Sequence, residues 1–175
     1  TMTVGTSVTK RPFQGERIVI HTSLGFDATC ESFRRLLGES SFPDLAELSR
    51  SPITQAEFEN QVQACFVGES GFMLFAEFDH GAWLSKFGLE RRSVRWIFGN
   101  PLIAITMIQY DVTAGLFAPV EMLITEDTDH AGTTVVYVRP SSLMVIEDNP
   151  PLLSAARALD AKCETLLARA LGVEA

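Results

Sequence analysis

The series of alternating runs between Gly71 and Met144 constrains the fold of this chain more than any other feature of its sequence. Period-two alternation places successive side chains on opposite faces of a strand, and half-polar runs are typical of an antiparallel sheet with one covered and one partly wet face. A short turn-rich link joins the last two runs at hairpin length. The sequence therefore predicts four antiparallel strands, at Phe72–His80, Ser93–Phe98, Pro119–Asp127 and Thr133–Val138.

The parity of the first run assigns its polar side chains to faces. Alternation places His80 on the apolar face of the strand and Glu77 and Asp79 on the opposite face. Asp79 and His80 therefore cannot act as a facing pair. Both carboxylates are expected to form cross-strand ion pairs with Arg91 or Arg95 of the next strand.

Elements before and after these runs complete the predicted fold. A first strand begins at Glu16 and leads into an apolar stripe at helical spacing from Phe26 to Leu37. A last helix is predicted to begin at Pro150, with Asn149 as its cap. The predicted fold class is α+β: a two-layer, mainly antiparallel sheet of about five strands backed by helices, in the order strand, helix, four strands, helix.

The chain is expected to form one domain with an arm and an insertion. Residues 1–15 are predicted to be a loose N-terminal arm, and residues 16–172 a single α+β domain. Residues 39–70 are predicted to be a helical insertion with one helix, because Thr54 and Glu57 fit a capping box. A piece at Asp44–Leu48 is expected to add no more than a turn of helix.

Composition and charge exclude several classes of partner. Fourteen basic against 22 acidic residues give a net charge of -8, which opposes nucleic-acid binding. The longest apolar segment, Trp96–Ile108, is interrupted by Gly99 to Pro101 and is shorter than the about 20 residues that span a bilayer, so no membrane association is expected. Three distant cysteines and the lack of signal-peptide features favour a cytoplasmic location.

The segment Leu102–Ile108 is apolar almost all round and predicts a helix that is buried on more than one side. A small two-layer domain covers only one face of such a helix. We therefore expect a second subunit to cover the other face, which predicts a homodimer.

The residues Gly99, Asn100 and Pro101 form the first candidate site. Glycine permits a sharp turn, asparagine is a preferred helix cap, and proline is favoured at the first helical position. One interpretation is a purely structural strand end and cap. The other is that free amides at the helix start hold an anion, which makes Gly99 and Asn100 candidate ligand-binding residues.

His80 is the one candidate catalytic residue. Its place at the end of a predicted strand fits either a satisfied, partly buried histidine or a residue with an acid-base or ligand-contact role. A functional role requires a partner from elsewhere, for which Tyr137, His21 and Asn100 are the candidates. His80 and Tyr137 therefore join Gly99 and Asn100 as candidate ligand-binding residues.

The chain contains none of the common catalytic signatures. It has no phosphate loop, no His-Glu-x-x-His and no dinucleotide fingerprint, and Gly68–Gly71 is not a nucleophile elbow. The group of Glu126, Asp127, Asp129 and His130 lacks the spacing of a calcium loop and is expected to be a solvated turn. We predict no cofactor and no metal site.

Three motifs in this order carry a family resemblance: Phe78–His80, Phe98–Pro101, and Pro119 with the strand after it. With these motifs the chain resembles the domain of unknown function 302 family, most closely from Phe72 to about Met144. The resemblance implies a fold like that of the TATA-binding-protein class and a homodimer. It implies no catalytic residues, and it does not transfer nucleic-acid binding, because fold alone does not set function.

The chain departs from the family pattern at two places. Phe117 stands two positions before Pro119, where family members often carry an acidic residue. The segment between Gly38 and Gly71 is longer than in the shortest members, and its helix is in a position to cover or reshape a groove.

These observations lead to three functional hypotheses. The first is a cytoplasmic, homodimeric, non-enzymatic domain that binds a small ligand or a protein partner. The alternative is an enzyme acting on a small anionic substrate, with His80 as acid or base. The third, a DNA-binding module, requires a basic sheet face. Arg91, Arg92 and Arg95 form the one local cluster, and Glu77 and Asp79 are expected to neutralise it.

Overall fold

A computed structural model of the chain describes residues 4–39 and 42–173. Its strands are β1 (Arg17–Thr22), β2 (Gly38–Glu39), β3 (Met73–Asp79), β4 (Ser93–Gly99), β5 (Val120–Glu126) and β6 (Thr133–Val138). Its helices are α1 (Phe26–Arg34), α2 (Phe42–Arg50), α3 (Gln55–Cys65), α4 (His80–Leu84), α5 (Pro101–Ile108), α6 (Pro140–Met144) and α7 (Pro150–Leu171), with 3₁₀ turns at Ser85–Phe87 and Val112–Leu116.

The strands form one sheet in the order β1-β6-β5-β4-β3-β2. Every neighbouring pair is antiparallel except the short pair of β2 with β3. The predicted α+β class, the mainly antiparallel sheet and the β5–β6 hairpin are therefore confirmed. The sixth strand, which the sequence analysis did not predict, is only two residues long.

The main core lies between one face of the sheet and helices α1 and α7. We call this the inner face. Trp96 and Phe98 of β4 are almost fully buried there, as are Met122 and Ile124 of β5. Leu152, Ala156, Leu159, Cys163 and Leu166 form the apolar stripe of α7 that packs on them. The predicted cap of this helix is confirmed, since Asn149 Oδ1 accepts a hydrogen bond from the Leu152 amide at 3.2 Å.

A second, smaller core involves the residues between β2 and β3. Val62 of α3 is fully buried against Met73 and Phe75. The predicted capping box of α3 is present, but the segment carries two helices rather than one, because α2 runs over nine residues. Both ends of the segment meet at one carbonyl, where the amides of Gly38 and Gly68 donate to Phe72 O at 2.9 and 3.0 Å.

The predicted parity of β3 is wrong beyond Leu74. The register of β3 against β4 shifts between Leu74 and Ala76, which leaves one extra residue, Phe75, in β3. This bulge exchanges the two faces for the rest of the strand. Glu77 therefore lies on the inner face, in register with Trp96.

The predicted end of this strand also needs correction. The strand ends at Asp79, whose carboxylate accepts a hydrogen bond from the Ala82 amide at 3.0 Å and caps α4. His80 is consequently the first residue of a short helix and not the last of a strand.

Helix α5 is covered on two sides by its own chain. Ile103 packs with the main core and Leu102 with the smaller one, and the helix lies against both α7 and α3. Its apolar character thus requires no second subunit on those sides, although Ile105 remains 54% exposed. Among the described residues, no helix has the length and apolar character needed to cross a bilayer.

Candidate functional site

A polar cleft of about 570 Å³ lies between α1, the end of β3 and the start of β4. Helix α1 contributes Cys30 and Arg34, and the ends of the strands contribute Glu77 and Arg92. The volume is in the range of small-molecule sites, which begins at about 300 Å³. We call this the α1 cleft.

Arg34 is held in the α1 cleft by a carboxylate and an aromatic ring. Its guanidinium pairs with Glu77 and lies 4.8 Å from the centroid of the Trp96 ring. The β3 bulge makes this contact possible, because it turns Glu77 toward α1. A guanidinium that is held on two sides loses little conformational freedom when it binds a ligand.

Arg92 is held in the same manner on the other side of the cleft. It pairs with Asp27 at 2.6 Å, and its guanidinium lies 4.3 Å from the centroid of the Phe26 ring. Its backbone amide donates to Glu126 Oε1 at 2.9 Å, and its carbonyl accepts from the Thr125 hydroxyl at 3.2 Å. The backbone and the side chain of Arg92 are therefore both held in place.

Cys30 lies between the two arginines in an unreactive form. The pKa of its thiol is raised from 9.0 to about 11, mainly by burial and in part by the nearby Glu77 carboxylate, against the opposing effect of Arg34 and Arg92. The thiol is therefore protonated near neutral pH. A protonated thiol is a poor nucleophile, so the cleft is suited to binding rather than to thiol chemistry.

The sequence analysis missed this cleft, although a signal was present. Asp27, Glu31 and Arg34 recur at four and three residues, which places a polar stripe beside Cys30 on α1. The pairing of Glu77 with Arg34 was beyond prediction, since it depends on the bulge.

Both polar groups of the Asn100 side chain form structural hydrogen bonds. Its Oδ1 accepts from the Leu102 amide at 2.8 Å, and its Nδ2 donates to Gly71 O at 3.0 Å. Pro101 has no amide hydrogen, and the amide of Ile103 donates to Asn100 O. The first turn of α5 therefore has no free amide for an anion, and the strand-end and cap interpretation is the better supported one.

Gly99 is likewise a packing position. A Cβ atom at Gly99 would lie 3.1 Å from Pro119 Cβ, closer than most such contacts. The glycine thus permits the close approach of the chain before β5 to the end of β4.

His80 is half-buried at the start of α4, and its partner is Trp83. The Trp83 indole Nε1 donates to His80 Nδ1 at 3.1 Å, and the two rings pack edge to face with centroids 5.9 Å apart. An accepting Nδ1 places the proton of the neutral ring on Nε2. The lone pair that a general base requires is therefore engaged.

The structure does not bring the candidate residues together. Asp79 is in register with Val94 and Met73 with Gly99, so His80 and Asn100 lie at opposite ends of the β3–β4 pair, about 20 Å apart at the rise of a strand. Tyr137 lies elsewhere again, on β6. There it is buried beside a groove of about 500 Å³ between β1 and α7. Burial raises the pKa of its hydroxyl above the ordinary 10.0.

The acidic residues of the β5–β6 turn contact neighbouring groups within the turn. Glu126 Oε1 lies 3.1 Å from His130 Nδ1, and Asp129 accepts from the Ala131 amide at 3.0 Å. Backbone hydrogen bonds from Ala131 and Gly132 lower the pKa of Asp129. Within residues 4–39 and 42–173, no group of three or more potential ligands is arranged to hold a metal ion.

The arginine cluster of the third hypothesis is divided between the two faces of the sheet. Arg92 pairs with Asp27 in the α1 cleft, whereas Arg95 pairs with Glu121 at 2.5 Å on the opposite face. Arg91 Nε donates to the Glu126 carbonyl at 2.9 Å. The predicted pairing of Glu77 with Arg95 is therefore wrong, and these three arginines do not form one basic surface.

Fold and cleft together define a small α+β domain with an antiparallel sheet, helices on both faces and a polar cleft at one end of the sheet. The chain belongs to the family described as "Domain of unknown function DUF302", whose model matches residues 49–170. The match begins within the predicted insertion and includes α3, whereas β1 and α1 precede it. The family resemblance predicted from the sequence is confirmed.

A solved structure supports the same fold. The crystal structure of an uncharacterized conserved DUF302 protein from Bacillus stearothermophilus matches with a TM-score of 0.61 and 17% identity, covering 88% of this chain and 97% of the other. At this identity the likeness shows the fold alone. None of the curated proteins compared with the chain matches it.

Proposed function

We propose that this chain is a homodimeric, non-enzymatic domain that binds a small polar ligand in the α1 cleft. The observation that carries the proposal is the pair of guanidinium groups, Arg34 and Arg92, each held by a carboxylate and an aromatic ring. Guanidinium groups bind carboxylate and phosphate groups with two parallel hydrogen bonds. Holding them in place beforehand lowers the entropy cost of binding.

The charges around the cleft limit the class of ligand that it can bind. The lining carries three arginines but six carboxylates, those of Asp27, Glu31, Glu77, Asp79, Glu90 and Glu126. A ligand with only negative charge would meet this acidic excess unfavourably. A zwitterion, which offers an acidic group to the arginines and an amino group to the carboxylates, fits the cleft better.

Two observations favour binding without catalysis. The Cys30 thiol is protonated near neutral pH, and the histidine of the cleft lining is not His80 but His130, whose Nδ1 lies 3.1 Å from Glu126 Oε1. The enzyme alternative depends on His80, whose Nδ1 is engaged by Trp83. The free thiols of Cys30, Cys65 and Cys163 fit a reducing compartment such as the cytoplasm.

A thermal-shift screen followed by calorimetry tests this function. The probes are free amino acids and small peptides, compared with dicarboxylates and sugar phosphates. A ligand of the folded state raises the unfolding temperature by mass action. We expect a shift with a zwitterionic probe, its loss in Arg34→Gln and Arg92→Gln, and its retention in Arg95→Gln, whose arginine has a similar ion pair on the opposite sheet face.

The His80→Ala variant distinguishes the proposed binding function from the enzyme alternative. Ligand binding in the α1 cleft is expected to be unchanged by this substitution. Loss of binding in His80→Ala with retention in Arg34→Gln would overturn the proposal in favour of the enzyme alternative. Equal binding in the wild type and the Arg34 and Arg92 variants would place the ligand elsewhere.

A further inference from the structure

Five residues form one continuous row across the sheet on the face opposite α1 and α7. Val19, Val136, Leu123, Arg95 and Phe78 are paired in register from strand to strand, from β1 at one edge to β3. Four of the five are apolar. We call them the outer row, and the sheet face that carries them the outer face.

The outer row lies beyond the part of the outer face that this chain covers. The smaller core buries Met73 and Phe75 at the other end of β3. By contrast, Val19 is 49% exposed and Phe78 is 56% exposed, at the two ends of the row. The N-terminal arm meets this face beside the row, where a Cβ atom at Gly15 would lie 3.6 Å from Val138 and Phe13 packs on Phe117 with ring centroids 6.4 Å apart.

An apolar row is unusual on a sheet face exposed to water. The solvated face of an antiparallel sheet normally carries polar side chains, and contiguous exposed apolar surface marks interaction sites. In this chain the β3 bulge places Phe78 on the outer face. The same irregularity that turns Glu77 toward the α1 cleft therefore completes the outer row.

The charges beside the row indicate what covers it. Arg95 in the row pairs with Glu121 of the neighbouring strand at 2.5 Å, so the charges at the centre of this face balance. The whole chain, however, carries a net charge of -8. Two copies of such an acidic protein repel one another over most of their surfaces, and they meet most favourably where the local charge is balanced.

A two-fold axis suits this charge pair. Rotation by such an axis brings the same patch of two copies together in opposite order. Arg95 of one copy then approaches Glu121 of the other, and each charge keeps an opposite neighbour when water is removed. An acidic or basic partner of another kind would match only one member of the pair.

We propose that the outer row is the interface of the homodimer, in which a second copy of this chain packs its outer face on the first. The arrangement is a sheet-on-sheet packing with α1 and α7 on the outside of both copies. The proposal rests on the proposed function only for the homodimeric state. The α1 cleft opens on the opposite face of the sheet and stays accessible.

Sedimentation velocity of purified variants tests this interface. The wild-type chain is expected to sediment at twice its mass of 19.2 kDa at low micromolar concentration. Leu123→Arg places a charge at the centre of the row and is expected to raise the dimer dissociation constant by at least about tenfold. The matched control is Val112→Arg, because Val112 is 76% exposed on the Val112–Leu116 turn and lies outside the row.

Charge reversal provides a second test. Arg95→Glu alone is expected to weaken the dimer, and the double variant with Glu121→Arg to restore it, because opposite charges then face each other again. Far-ultraviolet circular dichroism of each variant checks that it remains folded.

Each outcome has a distinct meaning. A wild-type chain that sediments at 19.2 kDa overturns both the dimer and the interface. A dimer that survives Leu123→Arg, or that is broken by Val112→Arg instead, retains the homodimer and overturns its assignment to the outer row. Ligand binding by a monomeric Leu123→Arg variant would leave the cleft proposal intact.

Discussion

The guanidinium of Arg34 lies 4.8 Å from the centroid of the Trp96 ring. Trp96 is fully buried, and Phe33 packs on its ring edge to face at 6.3 Å. Its Nε1 is buried without a hydrogen-bond partner among the residues that the structure describes. The indole therefore lies beneath the α1 cleft, where its ring face contacts the Arg34 guanidinium.

Arg34→Lys is expected to lower the free energy of unfolding by about 1 kcal/mol, because lysine loses the planar stacking on Trp96 and the fork geometry toward Glu77. Urea denaturation followed by circular dichroism measures the change. Arg35→Lys is the matched control on the next residue, which is exposed and lies 3.9 Å from Glu31. Equal effects of the two substitutions would contradict a stabilising role for the Trp96 contact.

Asn100→Ala is expected to destabilise the fold by about 1 to 3 kcal/mol, since it removes the cap of α5 and leaves the partly buried Gly71 carbonyl without its donor. Asn149→Ala, which removes the more exposed cap of α7, is expected to cost about 1 kcal/mol. Chemical denaturation of each variant measures the change in the free energy of unfolding. An Asn100→Ala protein of wild-type stability with weakened ligand binding would instead support the anion-site interpretation.

Gly38→Ala is expected to destabilise the fold by about 3 kcal/mol or more. A Cβ atom at Gly38 would lie 1.7 Å from the Phe66 carbonyl oxygen, which belongs to the backbone and cannot turn away. At Gly115 a Cβ atom would meet Ile108 at an ordinary 3.6 Å, so Gly115→Ala serves as the control. Differential scanning calorimetry compares the two, and similar melting temperatures would argue against the close approach at Gly38.

Cys30 is expected to resist alkylation near neutral pH and to react increasingly as the pH approaches 11, because the raised pKa keeps its thiol protonated. A raised pKa in the folded state stabilises the fold below pH 9.0, and this contribution is lost as the pH rises toward 11.

Mass spectrometry after iodoacetamide treatment measures the reaction of each cysteine. Cys65 is exposed and should react first, whereas Cys163 is buried and its pKa is raised by burial, so it should react only on unfolding. Labelling of Cys30 as rapid as that of Cys65 at pH 7.5 would contradict the raised pKa of the Cys30 thiol.

Local patterns predicted most of the elements but not their register. The hairpin at β5–β6, the capping box at Thr54 and the caps at Asn100 and Asn149 depend on neighbouring residues, and all are present. The bulge at Phe75 is different, because it depends on how β3 meets β4. This one extra residue moves every later side chain of β3 to the other face of the sheet. Glu77 therefore meets other partners than the predicted ones.

The candidate site shows the same division. The chemistry of their side chains makes His80 and Asn100 candidate site residues in the sequence. In the structure they lie at opposite ends of a strand pair. Arg34 and Arg92, which share the α1 cleft, are separated in sequence and carry no motif. Proximity between distant residues is a property of strand pairing and helix packing, which no local pattern contains.

The sequence by itself determined the class of the fold, the family and the positions of the helix caps, because alternation and capping act over a few residues. Only the tertiary structure decided which residues line the α1 cleft, that α5 is covered by its own chain, and that an apolar row remains on the outer face. These features depend on one register shift in β3 and on the packing of α1 and α3. The physical reason is that a slip of one residue in a strand leaves its local pattern intact while it reverses the faces of all the side chains that follow.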